Sequence, residues 1–151
     1  MTDWLTDEQQ RHWRAWLAAS KLLMDRFSRD LQETHGLTIH DYEILVRLSE
    51  SDGRRMRMGD LAEATLNSRS RLSHQIDRME RDGLVVREHC VVDRRGAWAV
   101  LTEHGFDTLV EAAPDHVASV RRHLVDRLTD EQFAALGEAS AIVAEPLADE
   151  G

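Results

Sequence analysis

MGDLAEATLNSRSRLSHQIDRMERDGLV, residues 58–85, holds two helical patterns separated by a polar break. GDLAEAT reads as a short helix and Asn67-Ser68 as the break; RSRLSHQIDRMER is a longer helix closed by Asp82-Gly83. Two helices a few residues apart, the second longer and richer in Arg, form the pattern of a helix-turn-helix. Within the second helix Leu72, Ile76 and Met79 recur at the spacing of a buried stripe. The opposite face then carries Ser70, Arg71, His74, Arg78 and Arg81, with Gln75 at its edge.

Downstream, LVVREHC (84–90) and AWAVL (97–101) are short apolar, β-branched runs joined by the polar, Gly-containing VVDRRG. They read as a β-hairpin whose tip carries Arg94 and Arg95. Thr102 caps a further helix with apolar or small positions at 106, 110, 113, 117, 120 and 124, in which Pro114 should kink the helix rather than end it. The last helix opens on LTDEQ (128–132), the string that also stands at 5–9, and repeats apolar residues at 133, 136, 143 and 147. Each LTDEQ supplies a Thr and, three residues on, a Gln, which together make a capping box. Upstream, a second helix starts near Thr38, with Asp41 three residues on, and runs to the turn Ser51-Asp52-Gly53. The first helix starts at Thr6 and spaces residues 13, 17, 20, 24, 27 and 31 to keep one face buried as far as His35-Gly36.

At 151 residues the chain is the size of one domain and needs no disulfide or metal to hold a core. Its single cysteine, Cys90, excludes an internal disulfide framework and a four-cysteine zinc site. No stretch approaches the roughly 18 apolar residues of a membrane span. The N-terminus lacks the basic-then-apolar order of a signal peptide, so a soluble, cytoplasmic protein without membrane partners is expected. Net charge is −9, but it is unevenly spread. Residues 54–95 hold ten Arg against seven acids, a net of +3, which leaves −12 on the remainder. A basic middle therefore sits between acidic ends. Only Lys21 among the nineteen cations is lysine, and Arg suits planar, bidentate contact with phosphate or guanine. The terminal helices either fold back onto the helix-turn-helix or pair with those of a second copy. Pairing is the favoured expectation, because many helix-turn-helix proteins bind DNA as two-fold dimers.

The order of elements, the 58–85 stretch and the following D-x-R-x5-L-T-x-x-G (Asp93, Arg95, Leu101, Thr102, Gly105) resemble the MarR family of bacterial winged-helix transcription regulators. The motif-level match runs from about Leu37 to Gly105 and the element order spans nearly the whole chain. The resemblance implies a mainly α fold with a small β-hairpin wing. In it a winged helix-turn-helix lobe of about 38–101 joins a dimerisation lobe built from helices of about 6–35 and 103–148, within a single domain of 1–151. It further implies a homodimer, often a repressor on a pseudo-palindromic operator, released by a small phenolic or anionic effector or by thiol oxidation. Family members commonly place Ser or Thr to cap the first helix of the motif, whereas this chain has Met58 before Gly59.

Candidate contacts to double-stranded DNA follow. Arg71 and His74, near the start of the longer helix, are placed to read base edges in the major groove. Ser68 and Ser70 are placed to donate to phosphate at that helix terminus, and Arg69 and Arg78 complete the helical set. At the wing, resemblance assigns Asp93 to orienting Arg95 into the minor groove, with Arg94 on phosphate. Solvated, ion-paired surfaces are the plain alternative for both regions. For an effector, Trp13, Trp16, Lys21, His40 and Tyr42 are candidates to stack on or pair with an aromatic acid, the alternative being that the tryptophans pack a dimer core. Cys90 as a redox switch and His116 with His123 as metal ligands are weaker candidates, since no second cysteine resolves the thiol and the histidines are seven apart. No cofactor is expected. Enzyme signatures are missing: there is no G-x-S-x-G, P-loop or dinucleotide glycine pattern. A winged-helix module that binds protein instead of DNA stands as the competing class.

Overall fold

Residues 1–89 and 96–149 are described by a computed structural model. The helices and the hairpin follow the expected order, with one further strand, β1, before the third helix: α1 (Asp7–His35), α2 (Ile39–Glu50), β1 (Arg55–Arg57), α3 (Met58–Ala64), α4 (Arg69–Arg81), β2 (Val85–His89), β3 (Ala97–Leu101), α5 (Glu103–His123) and α6 (Asp130–Asp149). Side chains start most of the helices. Thr6 with Gln9, Thr38 with Asp41 and Thr129 with Gln132 form reciprocal capping boxes, while Ser68 and Thr102 accept from the backbone N–H three residues on. The exception is α3: Arg57 stands at its N-cap and supplies no side-chain acceptor, in keeping with the absence of Ser or Thr before Gly59.

The hairpin is wider than its sequence suggested. Arg55–Arg57 adds a third strand, giving an antiparallel sheet ordered β1-β3-β2, with Arg57 opposite Trp98 and Val85 opposite Leu101. Three residues rich in Arg carry too little β-branched character to read as a strand. The core lies under this sheet. Leu45, Leu48, Leu61, Leu72, Ile76, Met79, Val85 and Ala99 are fully enclosed, and Leu31 of α1 and Leu109 and Ala112 of α5 close it from the other side.

The first helix departs from expectation. Of its predicted stripe only Phe27 and Leu31 are buried, whereas Trp13 and Met24 lie exposed, because α1 packs on α5 and α2 only through its C-terminal part and runs on past them. Likewise α6 keeps Phe133, Ile142, Val143 and Leu147 in the open. Helix α5 passes through Pro114 without a break.

One joint fixes where the wing meets the helices. After α4, Gly83 takes a left-handed φ of 75°, and Leu84 N–H returns to the Met79 carbonyl. Thr102 Oγ1 then donates toward the carbonyls of Gly83 (2.6 Å) and Leu84 (3.1 Å), while Thr102 N–H donates to that of Leu84. Gly105 presses against the same place: a β-carbon there would stand 2.1 Å from the Leu84 carbonyl oxygen. The spacing Thr-x-x-Gly is thus a cap followed by the residue that must have no side chain.

Two outcomes check this account. Gly105→Ala should destabilise the protein by about 3 kcal/mol, since backbone cannot yield to the added methyl, read as a lower urea midpoint. Leu66, in the α3–α4 turn, has a φ of 53° and is 82% exposed, so it bears left-handed strain without packing in return. Leu66→Gly should raise stability by about 1 kcal/mol; a loss instead would mean the side chain is held by something the protomer does not show.

Candidate nucleic-acid interface

Helix α4 has two unlike faces. Leu72, Ile76 and Met79 face the core, while Ser70, Arg71 and His74 lie on the other side near the N-terminus, all three exposed. At that end the Ser68 hydroxyl accepts the N–H of Arg71 at 3.2 Å. Its oxygen is therefore engaged in capping, and its hydrogen is left to donate to an anion. Arg69 folds back toward α3, so that a β-carbon on Gly59 would lie 3.8 Å from its guanidinium.

Arg78 and Gln75 differ from the expected surface roles. Gln75 is buried, and its amide donates to Asp41 Oδ1 at 3.2 Å; Arg78 donates to the same oxygen at 2.7 Å. The other carboxylate oxygen accepts the backbone N–H of Thr38 at 3.0 Å. Asp41 is 5% exposed, so a charge in the interior is answered by three donors, one from its own cap and two from α4. Arg78 is thereby a brace between α2 and α4 first, and its half-exposed head is held at the surface of α4. Nothing in the sequence marked Asp41 as more than a helix cap, because its second use needs α4 folded against it.

Arg87, on β2, is the other residue that sequence reasoning missed. Its guanidinium donates to the Ser73 carbonyl (2.8 Å) and hydroxyl (3.0 Å) and pairs with Asp77, while its backbone N–H donates to Glu80 at 2.7 Å. The Arg87 bond holds the Asp77 carboxyl below its ordinary range. Asp77 and Glu80 are thus turned toward β2, which fastens the sheet to the back of α4.

Cys90, Asp93, Arg94 and Arg95 lie outside the described residues, so the wing-tip assignments rest on sequence.

The proposed effector residues are not brought together. Trp13, Trp16 and Lys21 lie on the exposed half of α1, and helical rise puts Trp16 about 17 Å along the axis from Phe27. His40 is exposed as well. Only Tyr42 reaches the meeting point of α1, α2 and α5, where its ring lies 4.4 Å from that of His116, itself edge-on to Phe27 at 5.7 Å. Beside them a cleft of about 260 Å³ between α1 and α5 is lined by Asp30, His35, Asp115, His116, Ser119 and Arg122 among others. The Arg26 bond, and then that of Ser119, hold the Asp30 carboxyl low, and His35 pairs with Asp115 at 2.8 Å. His123 lies away from this cleft, along a second one of about 480 Å³ shared with α1. No cluster of three metal-ligating side chains occurs among the described residues, and none of their helices is long and apolar enough to cross a membrane.

A family model described as the MarR family matches residues 35–96. AbsC, a MarR family transcriptional regulator from Streptomyces coelicolor, is 57% identical with a TM-score of 0.91 across 97% of this chain and 98% of its own. Sco3205, a MarR family regulator from the same organism solved in complex with DNA, is 46% identical with a TM-score of 0.94, covering 97% and 92%. The homoprotocatechuate degradative operon repressor of Escherichia coli is 32% identical over 122 residues, 81% of this chain and 80% of that protein.

Burial gives His116 a measurable signature. Desolvation pushes its imidazole below the ordinary value of 6.5, and its Nδ1 finds no partner among the described residues. The folded protein therefore favours the neutral ring while the unfolded chain takes up a proton near pH 6.5. Stability contributed by the neutral ring is full above that pH and falls as the solution is acidified through it. Urea midpoints at pH 7.5 and 5.5 should drop further for the wild type than for His116→Leu; equal drops would refute the assignment.

Proposed function

The chain belongs to the MarR family and is a DNA-binding transcription regulator, not an enzyme; on that premise we propose that it is a homodimeric repressor of a pseudo-palindromic operator, released by a small anionic or phenolic effector. The observation that carries the dimer is the uncovered apolar surface of the terminal helices. Trp13, Trp16, Leu22, Val117, Ile142, Val143 and Leu147 are each at least about half exposed in the single chain, far more than a lone soluble domain leaves in adjoining patches. A second copy presenting the same stripes covers them, and two-fold symmetry then sets two α4 helices about one duplex turn apart. The acidic ends fall on this lobe and the basic middle on the DNA side.

Within each half-site, Arg71 and His74 read bases; Ser68, Arg69 and Ser70 take phosphate; Arg78 assists from its brace. At the wing Asp93 orients Arg95 toward the minor groove and Arg94 takes phosphate, an assignment that rests on the D-x-R motif. That Sco3205 was solved with DNA and that the Escherichia coli relative is a repressor support this reading. The effector's place is the cleft by His116, walled by α1 and α5, where a ligand that shifts α5 would change the separation of the reading helices.

Sedimentation should give twice the 17.3 kDa chain mass at micromolar concentration. With an operator recovered by selecting bound genomic fragments, Arg71→Ala should cost about 1–3 kcal/mol and relax discrimination at one base of each half-site, whereas Arg95→Ala should weaken binding to all sequences alike. Equal small losses for both, at every site, would refute this division of roles.

A further inference from the structure

The outer face of the sheet carries a group of side chains that the interface above does not use. Arg57 pairs with Trp98 across β1 and β3, and Trp98 pairs with Glu88 across β3 and β2, so these three share one face, and Arg55 joins them two residues along. The guanidinium carbons of Arg55 and Arg57 lie 4.5 and 5.0 Å from the centre of the Trp98 ring. Two cations on one indole would repel each other unless at least one were compensated. Arg55 is, by Glu88 at 3.5 Å. Arg57 is exposed, and no acidic side chain among the described residues approaches it within 4.0 Å.

Its surroundings say what anion it suits. Arg57 immediately precedes α3, and two residues later Gly59 lies under the guanidinium of Arg69, which also has no acidic partner within that distance among the described residues. One uncompensated guanidinium thus belongs to the residue just before α3, and a second reaches back to the first turn of α3 from the start of α4, beside the exposed Ser70 and Arg71. Phosphates border the groove that such a helix enters, so the anion met at this flank is the DNA backbone. Stacking on Trp98 keeps the Arg57 fork extended before binding, so less side-chain freedom is lost when it closes on a phosphate.

We propose that Arg57, held by Trp98, and Arg69 form a phosphate clamp on the DNA strand beside the recognition helix, with Trp98 as its positioning residue. This rests on the DNA-binding reading of the chain and adds ion pairs that carry affinity without sequence choice.

The probe is a random-sequence duplex, titrated with full-length protein over a series of NaCl concentrations. The log–log slope diminishes by about 0.9 for each phosphate left without its cation, so Arg57→Ala should flatten it by about 1.8 in a two-fold dimer. Arg57→Lys should keep the slope and lose affinity several-fold, because an ammonium has no fork. Trp98→Leu should also keep the slope while weakening binding several-fold, a pattern that loss of sheet stability alone would not give once melting temperatures match. An unchanged slope in a folded Arg57→Ala overturns the clamp. Should that variant melt early, Arg57→Gln, which keeps most of the stem over Trp98 and removes the charge, must flatten the slope instead. Unaltered affinity in Trp98→Leu removes its positioning role. Failure of the wild type to bind any duplex at low salt would overturn both this proposal and the reading beneath it.

Discussion

A single buried carboxylate sets the geometry on which the rest depends. Asp41 closes the first turn of α2 through Thr38 and, from its other oxygen, takes the amide of Gln75 and the guanidinium of Arg78. Charges are costly to bury, and removing its donors would leave the Asp41 carboxylate stranded in the interior. The interaction is therefore specific about angle where apolar packing is tolerant. Leu45, Leu48, Leu72 and Ile76 could interdigitate at several rotations of α4; only one of them brings both Gln75 and Arg78 to Asp41.

The second constraint is the Thr102–Gly105 joint. It gathers the end of α4, the start of β2 and the start of α5 around the carbonyls of Gly83 and Leu84, so the lobe that meets DNA and the helix that leads to the other lobe share one backbone junction. About three turns further along α5, His116 packs against Tyr42 of α2 and Phe27 of α1.

Much of this was legible in the sequence. The capping boxes at Thr6, Thr38 and Thr129 mark helix starts through strictly local chemistry, and the α4 stripe obeys a period that survives folding. The L-T-x-x-G motif was visible, but not that Gly105 is required by a carbonyl twenty-one residues earlier in the chain. What escaped was long-range. Gln75 sits at the margin of an apolar stripe, and only the presence of Asp41 opposite turns it inward. Arg87 looked like one more cation in a basic region, whereas its charge is consumed by Ser73 and Asp77. The stripe on α1 was periodic throughout, yet periodicity cannot say whether the covering surface comes from the same chain. Trp13 and Met24 lie uncovered in the single chain.

The Arg87 fastening has a mechanical corollary. With β2 riveted to the back of α4 through Ser73, Asp77 and Glu80, the reading helix has no swivel of its own. Any tilt of α4 therefore carries the sheet with it, and the two move as one wedge.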